Sequence, residues 1–137
     1  MSFKDISQIA GSAMAAQTVR LNTVASNLAN ADSVSGNEND TYRARKPVFA
    51  AVMNDGADGA GSKVQVLDVV ESAEPLRKVY EPDNPMANAE GMVFYPNVNQ
   101  VAEMTDMMSA SRAFETNVEV LGRIRTMQQS LLKLGEM

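Results

Sequence analysis

Cysteine, histidine and tryptophan are all missing from this 137-residue chain. Without cysteine there can be no disulfide and no thiolate nucleophile. Without histidine the commonest general base and the commonest metal ligand are gone too. Aromatic residues make up only 5 % of the sequence, so large core-filling side chains are scarce and a self-sufficient globule is poorly provisioned. No run approaches the roughly 18 apolar residues of a membrane span. The N-terminus has Lys4 and Asp5 followed by small and polar residues, which is not the apolar core of a secretory signal. On composition alone the default location is cytoplasmic. A net charge of −5 argues against nucleic acid, whose phosphates require a clustered basic surface. The single basic cluster, Arg43, Arg45 and Lys46, reads as a solvated strand face.

What the chain does have is a folded protein's share of apolar residues, 45 %, in a length that suits one domain or one elongated subunit. All five prolines and five of the eight glycines lie in the middle. Both ends are free of proline and carry stripes at helical spacing. Phe3, Ser7, Ala10, Met14, Gln17, Leu21, Val24, Leu28 and Ala31 form the first; Met104, Met107, Ser111, Phe114, Val118, Leu121, Arg125, Gln128 and Leu132 form the second. Steps of three and four mark the seam of helices packed lengthwise. The first segment has only three charges, Lys4, Asp5 and Arg20, and its Ser, Thr and Asn are mediocre helix formers. Such a helix depends on its packing and suits burial on more than one side.

The spacing predicts helices over 3–31 and 97–134, roughly 45 and 55 Å long at 1.5 Å per residue. Asn97 is expected to cap the second helix with Gln100 in the capping-box position, and Gly135 to stop it. Between them, 32–41 is a polar loop, 42–53 a strand with Pro47 suited to an edge or a bulge, and 54–62 a turn. A second strand is predicted over 63–72, extended or turning chain over 73–90, and a short strand over about 91–95.

Candidate chemistry is thin. Glu115 and Glu119 lie one helical turn apart, as an acid/base pair could, but exposed carboxylates flanking a seam are the commoner arrangement. The glycine-rich stretch from Gly56 to Lys63 has the two glycines of a phosphate-binding loop. Its Ser62 and Lys63 stand in reverse order, and a strand follows where a helix N-terminus should hold the phosphates. It reads as a loop. Met104, Met107, Met108 and Met127 read as adaptable packing. Asn22, Asn27, Asn30, Asn97, Asn99 and Asn117 are either helix-surface residues or bond across helices at subunit contacts.

Along nearly the whole chain, IAGSAM, RLNTVASNLANADSVSG, YRARKPVF, VYEPDNPMA and YPNVNQVAEMTDMMSASRAFETNVEVL resemble the bacterial flagellar basal-body rod protein family, in its proximal-rod branch. Tyr95 to Leu121 is the most specific stretch, and Ser26 to Ala31 matches the signature shared by rod and hook axial proteins. The usual Thr-x-Gly-Tyr turn after that signature is replaced by Asp32-Ser33-Val34-Ser35-Gly36 and a longer polar loop, a departure that is itself like the proximal-rod branch. The resemblance implies a non-enzymatic subunit of a helical tube with its terminal helices packed around a central channel. It also implies export by the flagellum's own type III apparatus without a cleaved signal, and assembly in the periplasm, which replaces the cytoplasmic default. Implied partners are copies of the chain, sibling rod proteins and the adaptor joining the rod to the membrane ring. No cofactor, catalytic residue or metal ligand carries over.

The expected architecture is therefore α+β, with long terminal helices packed as an antiparallel coiled coil around a small β-rich middle. The expected segments are residues 1–31, 32–96 and 97–137. The expected assembly residues are Met14, Leu21, Val24 and Leu28 facing Met104, Met107, Phe114, Val118 and Leu121. The outer wall is assigned to the middle segment. Two rivals stand beside this reading. A soluble helical adaptor or chaperone, working as a dimer, would show both helices already ordered in dilute protein, where a rod subunit's termini would order on polymerisation. A nucleotide-binding module would use the 56–63 loop and lose its affinity in Lys63→Ala.

Overall fold

The computed structural model describes residues 2–53 and 61–136. Its elements run α1 (Phe3–Ala29), a 3-10 turn (Glu38–Asp40), β1 (Arg45–Met53), β2 (Ser62–Glu71), β3 (Arg77–Tyr80), β4 (Met92–Tyr95) and α2 (Gln100–Gly135). Most of the expected 54–62 turn and of the 56–63 glycine loop lies outside the described residues. Ser62 and Lys63 open β2, so a strand and not a helix follows them.

Helix α1 begins in a reciprocal capping box, which apolar spacing does not reveal. Ser2 Oγ accepts from the Asp5 amide at 3.2 Å, and Asp5 Oδ2 accepts from the Ser2 amide at 2.9 Å. These contacts satisfy free N–H groups of the first turn. They also hold the Asp5 carboxyl below its ordinary range. From there α1 packs on α2 along one side and on the β1–β2 hairpin along another. Only Lys4, Gln8, Gly11, Ala15, Thr18, Asn22, Ala25 and Ala29 remain exposed, as a single line. A helix of weak intrinsic propensity is thus supported from two directions within its own chain.

β1 and β2 are antiparallel, with Pro47 opposite Val69. The missing proline N–H is tolerated in a two-stranded sheet, where every strand is an edge. Val48 faces Asp68 and Phe49 faces Val66, so Leu67 is the extra residue of a bulge beside Pro47. The Val64 amide donates to Ser12 Oγ at 3.1 Å, tying β2 to α1. β3 and β4 form a second antiparallel pair. β3 was expected only as extended chain, because the prolines on both sides of it mask a four-residue strand. Ser35 extends this pair, its amide donating to the Phe94 carbonyl and its carbonyl accepting from the Phe94 amide. Gly36 lies so close to the 86–88 backbone that a Cβ would come within 2.6 Å of the Met86 carbonyl oxygen, a space only glycine fits.

The second helix starts later than expected. Asn99 and not Asn97 is its N-cap, its side chain accepting from the Ala102 amide at 3.1 Å. Asn97 is engaged elsewhere. Helix α2 ends at Gly135 in right-handed geometry at Glu136. It is 36 residues against 27 for α1, about 54 and 40 Å. Among the described residues no helix is long and apolar enough to cross a membrane.

Candidate assembly surface

The terminal helices run in opposite directions. Arg20, late in α1, forms an ion pair with Asp106, early in α2. At the other end Phe3 shares an open hollow with Gln128, Leu131 and Leu132. Val24 is buried on α1, with Met14, Leu21 and Leu28 half-buried.

On α2 the buried line is not the expected one. It runs through Glu103, Asp106, Ala110, Ala113, Asn117, Val120 and Ile124, one residue ahead of the predicted stripe at each step. One residue is about 100° of helix rotation. Ala110 is completely buried; small residues at 110 and 113 let the two helices approach closely, where a bulkier side chain would hold them apart. Of the predicted stripe, Phe114 and Leu121 are half-buried, while Met104, Met107 and Val118 are exposed. The expected seam followed side-chain size, but the fold puts Ala110 and Ala113 at the middle of the α2 seam and turns the methionines outward.

Val101, Met104, Met108 and Val118 therefore form an apolar stripe on the side of α2 away from α1. Toward the C-terminus every described residue after Ile124 is exposed, including Leu131, Leu132 and Leu134. Half of the exposed large apolar side chains lie on this one helix. Uncovered apolar surface is the kind that interaction sites use.

Two asparagines, Asn27 buried and Asn97 half-buried, hold the chain between these helices. Asn27, with no exposed surface, accepts through Oδ1 from the Arg45 amide at 2.9 Å and the Tyr42 hydroxyl at 2.7 Å. Its Nδ2 donates to the Arg45 carbonyl at 2.9 Å, and Ser26 Oγ donates to Tyr42 Oη at 3.0 Å. Asn97 Oδ1 accepts from the Ala44 amide at 2.7 Å, and Nδ2 donates to the Ser72 and Glu74 carbonyls at 3.4 and 2.9 Å. The entry to β1 is clasped from α1 on one side and from the lead-in to α2 on the other. Asn27 is internal and follows neither the helix-surface nor the subunit-contact reading; Asn97 lies ahead of the helix, half-buried, and spends its side chain on bonds within the chain. The available signal was position, since Asn27 adjoins the apolar line of α1 where an unpaired amide could not be buried.

The basic cluster divides. Arg43 donates to the Glu74 carbonyl at 3.1 Å and lies 3.6 Å from Glu38; Arg45 stacks over Tyr42 at 5.6 Å. Lys46 borders a hollow with Arg20 and Asp106. Glu115 and Glu119 are both exposed, and Glu119 accepts from Arg123 at 2.7 Å as the four-residue spacing predicts. Among the described residues no group of three acidic, His or Cys side chains could hold a metal ion.

Glu81 joins β3 to β4. Its carboxylate accepts from Asn84 Nδ2 at 2.9 Å and from Tyr95 Oη at 2.8 Å. The Asn84 bond first, and the Tyr95 bond second, hold its carboxyl below the ordinary 4.5. Donating to Glu81 pushes the Tyr95 hydroxyl above 10.0. The lowered acid supports folding fully above pH 4.5 and loses that support as pH falls through its folded value. The raised phenol supports it fully below pH 10.0 and loses that support as pH rises through its folded value. The protection of the Val79 and Val93 amides, with the intrinsic pH dependence of exchange divided out, should therefore be greatest between these limits. Glu81→Gln should flatten the acid limb; an unchanged limb would refute this assignment.

Comparison with known proteins matches both ends of the chain. A family model described as flagella basal body rod protein matches residues 8–36, and one described as flagellar basal body rod FlgEFG protein C-terminal matches residues 89–134. The flagellar basal-body rod protein FlgC of Salmonella typhimurium is 50 % identical over 137 residues, covering 99 % of this chain and 100 % of that protein. That of Escherichia coli O157:H7 is 50 % identical over 136 residues with the same coverage. That of Bacillus subtilis is 35 % identical over 143 residues, covering 93 % of this chain and 95 % of its own length. With the paired terminal helices and the outward apolar face of α2, these matches show that the chain belongs to the FlgC family of flagellar basal-body rod proteins.

Proposed function

We propose that the paired helices of this rod subunit polymerise lengthwise into a helical tube that encloses an export channel and transmits motor torque. The observation that carries the reading is the long α2 helix, apolar on the face it leaves outside the chain. Covering that face with equivalent helices would bury it many times over around a tube. Repeated lengthwise contacts resist twisting because each one is close-packed.

Within this reading α1 and α2 work as an antiparallel coiled coil, Met14, Leu21, Val24 and Leu28 support the inner contact, and Met104, Met107, Phe114, Val118 and Leu121 meet neighbours. Residues 1–31 and 97–137 are the tube-forming segments, and 32–96 form the outer wall. The subunit does no catalysis. Its partners are copies of itself, the other rod proteins and the adaptor to the membrane ring. It reaches the periplasmic rod through the flagellar type III apparatus without a cleaved signal.

Replacing Leu21 by Asp should abolish rod assembly, because an unpaired charge on a packed face costs several kcal/mol. Normal rods and swimming in that mutant would sink the seam. Hydrogen exchange separates the adaptor rival. Since α1 and the front of α2 already pack together, the contrast moves to residues 125–136. These should exchange freely in dilute chain and become protected in the rod, whereas a dimeric adaptor would protect them throughout.

A further inference from the structure

Glu103 is the buried charge of α2, only 8 % exposed. Among the described residues its carboxylate receives no hydrogen bond and touches no cation; the ion pairs are Arg20–Asp106, Arg43–Glu38 and Arg123–Glu119. No side-chain oxygen or nitrogen is both sealed from solvent and unpartnered. The Glu103 carboxylate must therefore keep its remaining access through the hollow it lines. That hollow, of about 560 Å³, is bordered by Arg20, Lys46, Glu103, Thr105, Asp106 and Ser109. Arg20 is already committed to Asp106. Lys46 stands exposed at the rim, out of contact with Glu103.

A carboxylate held this deep without a partner is costly, and removing that cost takes a cation and a geometry that bonds both oxygens. The chain holds suitable cations on the same helix. Arg112, Arg125 and Lys133 are exposed and form no ion pair among the described residues. None can fold back to Glu103, since they lie about 13 Å or more along a rigid helix from it.

We propose that the hollow is a socket for a basic side chain of a second copy of this chain, so that Glu103 is completed only on assembly. This rests on the rod reading above and gives it a specific contact: α2 of one copy inserts Arg112, Arg125 or Lys133 beside Glu103 of the next. Such a contact sets register along the helix, because an apolar stripe alone can slide and a buried charge cannot.

The test compares the free chain with assembled rods. Glu103→Gln keeps the shape and removes the charge. It should hold or raise the Tm of the purified chain while weakening subunit association by about tenfold or more. A fall in Tm would show that the carboxylate is already satisfied within one chain, and would overturn the proposal. Lys46→Gln should change neither quantity; if it reproduces the Glu103→Gln loss of association, the partner is internal and the proposal fails. Glu103→Arg should block rods and swimming, and one of Arg112→Glu, Arg125→Glu or Lys133→Glu in the same chain should restore them. Rescue by none overturns the socket. Absence of the unaltered chain from isolated rods would instead refute the rod reading itself.

Discussion

Asn27→Leu should destabilise the folded chain by about 2–5 kcal/mol, the range for stranding buried polar groups. The side chain has no exposed surface and serves three partners: the Arg45 amide, the Arg45 carbonyl and the Tyr42 hydroxyl. Leucine satisfies none of them and leaves a backbone N–H and C=O unpaired next to α1. Tyr42→Phe should cost only about 0.5–1.5 kcal/mol, because Asn27 keeps both contacts to Arg45. Thermal melts of the two variants check the ordering. Equal losses would mean that the clasp is worth no more than its tyrosine. Rod formation should follow stability here, since the clasp orients β1 against α1 and the Asn27 side chain is fully buried within its own chain.

The double substitution Met104→Asp with Val118→Asp should do the opposite. Both residues are exposed on α2, away from α1. Surface changes of this kind alter folding by about 0.5 kcal/mol or less, so the Tm of the isolated chain should barely move. Assembly should nevertheless be lost, because two charges would have to be buried against apolar neighbours at every repeat. Electron microscopy of basal bodies and a swimming assay read the outcome. Intact rods in this variant would show that the outward stripe faces solvent, and would remove α2's outer face from the proposed interface. The contrast with Asn27 separates residues that make the subunit from residues that join subunits.

Much of the architecture can be read directly from residues. Proline-free ends with three-and-four spacing specify helices whatever surrounds them, since a periodic stripe and the lack of breakers are local properties. Pro47 beside a bulge was legible for the same reason. Local rules failed where two choices were locally equal. Asn97 and Asn99 can each cap a helix, and the choice was made by Ala44, Ser72 and Glu74, which are distant in sequence and engage Asn97.

Two terminal helices, a β-rich middle and, through its motifs, the family all follow from local residue patterns. Which face of α2 meets α1 does not; that depends on packing between segments distant in the chain. Apolar spacing favours the bulkiest face, but close helix packing is limited by how near the backbones can come, and Ala110 and Ala113 lie inward where Met104 and Val118 lie outward. That rotation of one residue leaves an apolar face outside and buries Glu103 without a partner. Both are costs in a single chain, because water must cover the first and, among the described residues, only water reaches the carboxylate of the second. Contact between chains can relieve both.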